Sequence, residues 1–249
     1  MHGYPVTLNV NGLPVCAISV SGVATLPHER KKGIMKKLLK EYLLKVKEKG
    51  YSLVVLTAEN PEIYKSMGFV HITDAFFGYD FCGEINEKKS VEISIKDNIP
   101  ALKNCYEKYA ESYSGNVIRG AFFNVKMEEY MSENCKCRAC YENGEISAYA
   151  IYSEVDKKAF YGEITGNKPE GILHEISTPF ICKLPKDTID QKIKGEIKED
   201  AMGYITDVNL FATSVGYKKN NLPEEGTSSA GKLLQTVMGY KIYPEYASA

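Results

Sequence analysis

The stretch from Ser19 to Thr57 constrains the fold more than any other part of the chain. An apolar strand runs through Val23-Ala24-Thr25 and a basic turn, Arg30-Lys31-Lys32-Gly33, follows it. A long amphipathic helix and a second apolar strand complete the unit. From Ile34 the apolar positions fall at Ile34, Met35, Leu38, Leu39, Tyr42, Leu43 and Val46, which is one face of a helix. Lys36, Lys37, Lys40, Lys45, Lys47 and Lys49 occupy the other side, and Gly50 stands where a left-handed cap ends a helix. Tyr51 to Thr57 then reads as a buried parallel strand, so the class is α/β with a mixed sheet.

The turn itself suits an anion. The first turn of a helix leaves backbone N–H groups unpaired along its axis, and Gly33 lets the backbone close on a phosphate. Arg30, Lys31 and Lys32 add positive charge around it.

This strand, turn, helix and strand resemble the GNAT superfamily of acyl-CoA-dependent N-acyltransferases, whose signature Arg/Gln-x-x-Gly-x-Gly/Ala stands here as Arg30-x-x-Gly33-x-Met35. The wider string from Val20 to Pro27, with Arg30 three residues on, looks specifically like the enhanced-intracellular-survival type of acetyltransferase and its relatives in Gram-positive bacteria. A second segment, Asn60-Pro-Glu-Ile-Tyr64-Lys-Ser-Met-Gly68-Phe69, is similar to the family's Tyr-x-x-x-Gly-Phe/Tyr element. Two motifs in order at family spacing carry more than either alone.

The resemblance implies acetyl-CoA as cosubstrate and a primary amine of a small molecule, or a protein lysine, as acceptor. It places the pantetheine arm and thioester carbonyl on the backbone of Val23, Ala24 and Thr25. The pyrophosphate falls to the amides of Arg30, Lys31, Lys32, Gly33, Ile34 and Met35. Tyr64 matches the general acid, since a phenol can give the departing thiolate a proton without carrying charge in an apolar slot. Asn60 either bonds the pantetheine or caps the next helix. His28, Glu29 and Glu62 stand near the motifs as candidate bases, and in the resembled enzymes the C-terminal carboxylate can take that part; this chain ends Tyr246-Ala-Ser-Ala249.

A family member would also carry a strand-helix-helix-strand unit ahead of the first hairpin. Its absence from this sequence points to an upstream start, a fragment or a reduced domain. The competing reading, from a different class, is therefore a CoA-binding or structural module that has lost catalysis. A nucleotide-binding protein is disfavoured, because no Gly-Lys-Ser/Thr follows the turn.

The chain divides into an N-terminal domain over 1–88, a second domain over 89–207 whose helix-helix-hairpin-strand order resembles a degenerate GNAT half, and an extension over 208–249. Tyr4 to Val10 and Leu13 to Val23 form a hairpin around Asn11-Gly12. His71 to Phe81 reads as paired strands with a turn at Phe76-Phe77-Gly78-Tyr79, and Glu84 to Ser90 as a polar connector. Helices are expected from Ile99, over Asn124 to Glu133, over Gly171 to Leu184 and over Ala230 to Met238. Strands are expected at Lys136 to Glu142, Ile146 to Ser153, Ala159 to Ile164 and Ala201 to Asp207. The second domain lacks the phosphate motif, which implies one CoA site per chain.

A formal net charge of −1 argues against a generic nucleic-acid binder. No run approaches the roughly 20 apolar residues of a membrane span, and the first residues lack a signal peptide's pattern, so the cytoplasm is the default expectation. Seven cysteines fit reduced thiols better than a disulfide framework. Cys135, Cys137 and Cys140 invite a metal, but strand alternation sets Cys140 opposite the other two, so no metal is expected. A homo-oligomer is left open.

Overall fold

In a computed structural model, the description covers residues 1–81, 90–156, 158–166, 172, 180–185, 193–217, 222–224 and 227–238. The chain forms a mixed α/β fold that divides into two compact units. The first comprises Met1–Asp74, Tyr113–Ile118 and Glu199–Ala249, and the second Ala75–Ser112 and Arg119–Lys198. The sequence suggested a linear division at 88/89 and 207/208. Each unit is assembled from separated pieces of the chain.

In the first unit, β1 (His2–Val10) and β2 (Leu13–Ser21) form an antiparallel hairpin whose partners run from His2 with Ser21 to Val10 with Leu13. Asn11 and Gly12 have φ of 51° and 82°, the twist a two-residue hairpin turn needs. β2 lies parallel to β3 (Leu53–Thr57), and β3 pairs antiparallel with Ala201–Ile205 of β10 (Ile193–Ile205). β3 is buried on both faces, as its apolar run required. Leu53 and Val55 join a core with Leu8, Val10 and Val15, to which helices at Val208–Ser214 and Ser228–Met238 add Phe211 and Leu234. Val54 and Leu56 face a second cluster with Ile18, Val20 and Phe69.

Helix α1 (Ile34–Glu48) packs on that second cluster through Leu39, Leu43 and Val46. Each buried side chain is worth about 1.5–3 kcal/mol. Met35 and Tyr42 pack at its margin, whereas Ile34 and Leu38, read as part of the apolar face, are exposed. A short helix α2 (Pro61–Lys65) follows β3, and β4 (Val70–Phe81) runs on from it. The turn expected at 76–79 does not form. β4 is one twelve-residue strand in which Phe77 and Gly78 oppose Lys183 and Cys182.

The second unit centres on β5 (Val91–Ile93), β6 (Lys136–Glu142), β7 (Glu145–Val155) and β8 (Lys158–Gly166), joined antiparallel in that order, with β9 (Phe180–Pro185) parallel to β8. Asn143 and Gly144 repeat the hairpin geometry, with φ of 51° and 84°. Helices α3 (Ile95–Glu111) and α4 (Phe122–Ser132) cover one face, burying Leu102, Tyr106, Phe123 and Met127 against Cys137, Tyr149 and Ile151. Ser94 caps α3 by accepting the Asp97 amide at 3.3 Å.

At the heart of this unit Glu163, with a side chain 3% exposed, accepts a hydrogen bond from Arg119 at 2.7 Å. It also accepts from the hydroxyls of Tyr149 and Tyr130, the latter at 3.3 Å. The guanidinium of Arg119 lies 4.2 Å from the centre of the Tyr106 ring. Burial and the Glu163 charge hold the Tyr149 phenol well above its ordinary pKa, so it remains a donor.

Three further expectations are revised. β2 ends at Ser21, and Val23-Ala24-Thr25 is irregular, because Gly22 turns the backbone to φ 60°. Residues 180–184, expected as helix, belong to strand β9. The strand expected to reach Asp207 stops at Ile205, since Asp207 caps the next helix by accepting the Leu210 amide at 2.9 Å. Most of the 84–90 connector and the last eleven residues lie outside the described residues. Cys137 and Cys140 do fall in different core clusters, as strand alternation required.

Candidate acyl-CoA site

The site grows out of the end of β2. A Gly22 turn, the irregular segment Val23–Leu26 and a short 3-10 turn at Pro27–Glu29 lead into the basic turn. The Glu29 amide donates to the Leu26 carbonyl at 2.9 Å and the Arg30 amide to Pro27 at 3.3 Å. Arg30 then reaches back, its Nε donating to the Thr25 carbonyl at 3.2 Å, so its side chain ties the two ends of the loop together. Lys32 is held by Glu29 at 3.1 Å.

Gly33 is the N-cap of α1, in the left-handed region at φ 75° and ψ 4°. A Cβ there would meet nothing within 4 Å, so the backbone angle demands glycine, and the space in front of it is open. Lys31 also has positive φ, 64°. The first intrahelical bond runs from the Lys37 amide to the Gly33 carbonyl at 3.1 Å. The amides of Ile34, Met35 and Lys36 therefore have no acceptor within the helix. A left-handed glycine, helix amides with no intrahelical acceptor and neighbouring cationic side chains are features that suit an anion. Lys31, Lys32, Gly33 and Ile34 are exposed.

Val23, Met35 and Tyr64 pack against one cluster of buried residues, which also receives Met1 and Met67. Tyr64 is half-buried, sets its ring edge-on to Phe69 with centres 5.8 Å apart, and has its phenol pKa raised by burial. It is thus a protonated group at neutral pH, able to give a proton. The Tyr64 carbonyl accepts from both Met67 and Phe69, fixing the turn at Gly68, where φ is 92°.

The other candidates separate from this group. Ala24 is exposed and Thr25 half-buried, and the Asn60 side chain makes no capping bond to α2. His28 sits 3.7 Å from Glu29, and Glu62 pairs with Lys65 at 3.0 Å on the surface, so each carboxylate has an ionic neighbour. The C-terminal carboxylate lies outside the described residues. His2 of β1 also stands beside this loop. The β1–β2 register sets it opposite Ser21, and a Cβ at Gly22 would lie 3.2 Å from its ring Cδ2. Only the hairpin register could have signalled this neighbour.

Cavities also occur elsewhere among the described residues. One, of about 390 Å³, is lined by Tyr217, Leu222, Lys232 and Leu233 in the first unit. Another, of about 470 Å³, is lined by Lys108, Tyr109, Glu142 and Glu145 in the second. Neither touches the 22–35 loop. No group of three or more His, Cys, Asp or Glu that could hold a metal occurs among the described residues. No described helix is long and apolar enough to cross a membrane.

Residues 1–72 match the family described as an acetyltransferase (GNAT) domain, the segment that carries the Gly33 turn and Tyr64. Solved structures extend the likeness to most of the fold. A conserved protein of unknown function from Enterococcus faecalis V583 is 16% identical, with TM-score 0.66, over 84% of this chain and 59% of that one. A GCN5-related N-acetyltransferase from Anabaena variabilis is 14% identical, with TM-score 0.65, over 84% of this chain and 60% of that one. Eis1 from Mycobacterium abscessus is 15% identical, with TM-score 0.57, over 85% and 63%. The chain thus spans about three fifths of the length of the structures it resembles. No curated protein matches it.

Proposed function

We propose that this protein is an acetyl-CoA-dependent N-acyltransferase acting on a primary amine, of the enhanced-intracellular-survival-like branch of the GNAT superfamily. The observation that carries the reading is the left-handed Gly33 with open space before it, at the head of a helix whose Met35 shares a core cluster with Val23 and Tyr64. The backbone of Val23, Ala24 and Thr25 receives the pantetheine and polarises the thioester carbonyl, with Asn60 as a further polar contact. The amides and side chains of Arg30, Lys31, Lys32, Gly33, Ile34 and Met35 take the pyrophosphate. The amine nitrogen attacks the carbonyl carbon, the C–S bond breaks, and Tyr64 protonates the departing thiolate.

Two supports are independent of each other. The family match covers both motifs, and the left-handed glycine at the head of α1 suits an anion whatever the family. Calorimetric titration of the chain with acetyl-CoA tests the reading, with Gly33→Glu as control. Saturable binding that the substitution abolishes, followed by turnover on an amine panel, is expected. Binding without turnover on any amine would favour a CoA-binding module instead.

A further inference from the structure

Acyl transfer to an amine sheds a proton from the attacking nitrogen, and neither the Glu29 nor the Glu62 carboxylate is free to take it, each being paired with a lysine on the surface. We infer that His2 takes this proton, an inference that rests on the acyl-CoA reading of the same loop.

The geometry is local. His2 opens β1 and pairs with Ser21, the last residue of β2. Its ring therefore lies beside Gly22, whose Cβ position would be 3.2 Å from His2 Cδ2 and 4.0 Å from Nε2. Gly22 immediately precedes Val23, the residue proposed to hold the thioester. Next to it, Met1 packs into the same cluster as Val23, Met35 and Tyr64, which anchors the start of the strand. The ring lies 6.5 Å from that of Tyr4, tilted by 31°. Among the described residues no carboxylate pairs with it, whereas His28 lies beside Glu29. Imidazole is the side chain that most often serves as a general base.

The step balances without another reactant. The amine lone pair forms the C–N bond, the C–S bond breaks, and the thiolate takes the Tyr64 proton. His2 Nε2 takes the proton from nitrogen, and both side chains then return to their starting states by exchange with water. An imidazole that takes the amine proton at the acyl carbon also carries out a covalent reaction that needs no acceptor. With bromoacetyl-CoA bound, His2 Nε2 attacks the methylene carbon, the N–C bond forms, bromide leaves, and the imidazolium proton goes to solvent.

The test incubates the full chain in a Cys16→Ser background with bromoacetyl-CoA, because Cys16 is an exposed competing thiol. Peptide mass spectrometry then locates the adduct. One adduct on the peptide carrying His2 is expected, protected by excess acetyl-CoA and lost in both His2→Gln and Gly33→Glu. Calorimetry with acetyl-CoA accompanies it, and His2→Gln should bind within about twofold of the parent. An unlabelled His2 in a chain that binds acetyl-CoA overturns this inference alone. Absence of saturable acetyl-CoA binding by the parent chain overturns the acyl-CoA reading, and the assignment of His2 falls with it.

Discussion

Replacing Glu163 by leucine tests whether the second unit is held by its buried ionic network. Glu163 is 3% exposed and its partner Arg119 9% exposed, joined at 2.7 Å. The substitution takes from the guanidinium beside the Tyr106 ring its carboxylate partner and removes the acceptor of the Tyr149 hydroxyl, while Tyr130 keeps the Gly162 carbonyl at 3.2 Å. Breaking one side of a buried pair costs ~3–5 kcal/mol, because the remaining charge stays out of water. At about 2–4 °C per kcal/mol for a chain of this size, the melting temperature should fall by roughly 6–20 °C. Chemical denaturation of the parent, Arg119→Met, Glu163→Leu and the double variant forms a thermodynamic cycle. The double variant should be more stable than Glu163→Leu alone, since an apolar pair buries no charge. Additive losses, or a Glu163→Leu loss under ~1 kcal/mol, would refute the view that this carboxylate exists to neutralise Arg119.

Three other outcomes follow from particular contacts. Tyr64→Phe keeps the edge contact with Phe69, so acetyl-CoA affinity should hold while turnover falls by about 100-fold or more, measured as thiol release. Gly203→Ala brings a Cβ to 2.5 Å from Ile72 Cδ1 and 2.6 Å from Leu234 Cδ2, and overpacking of that kind costs ~1–3 kcal/mol by denaturant titration. Burial and the Glu163 charge push the Cys105 and Cys137 thiols up to about 12, so at pH 8 both remain protonated; iodoacetamide should modify the exposed Cys16 well before either, read by peptide mass spectrometry.

Local signals in the sequence were legible where a residue's own backbone decides the outcome. Asn11-Gly12 and Asn143-Gly144 form the two hairpin turns, and Gly33 adopts the left-handed cap in front of α1. The period of α1 gave its buried residues Leu39, Leu43 and Val46 but not the exposure of Ile34 and Leu38, since periodicity reports a face and not what covers it. Gly78 suggested a turn, yet pairing with Cys182 keeps it in a strand; a partner about one hundred residues away leaves no local trace. The same holds for β10, whose Ala201–Ile205 joins β3, and for the helices after Val208 that complete the first core. In the candidate site, Gly33 was singled out by its place before a helix and Tyr64 by the resemblance of its motif, whereas the place of His2 depends on the β1–β2 register.

The most direct test of the central claim is calorimetric titration of the 249-residue chain with acetyl-CoA, beside Gly33→Glu. A Cβ at Gly33 meets nothing within 4 Å, so the glutamate crowds no protein neighbour and enters the space assigned to phosphate with a negative charge; the left-handed φ of 75° adds a backbone cost of ~1–2 kcal/mol, which circular dichroism and a melting curve monitor. The account predicts saturable binding by the parent and none by the folded variant. Equal binding by both, or no binding by a folded parent, would contradict it.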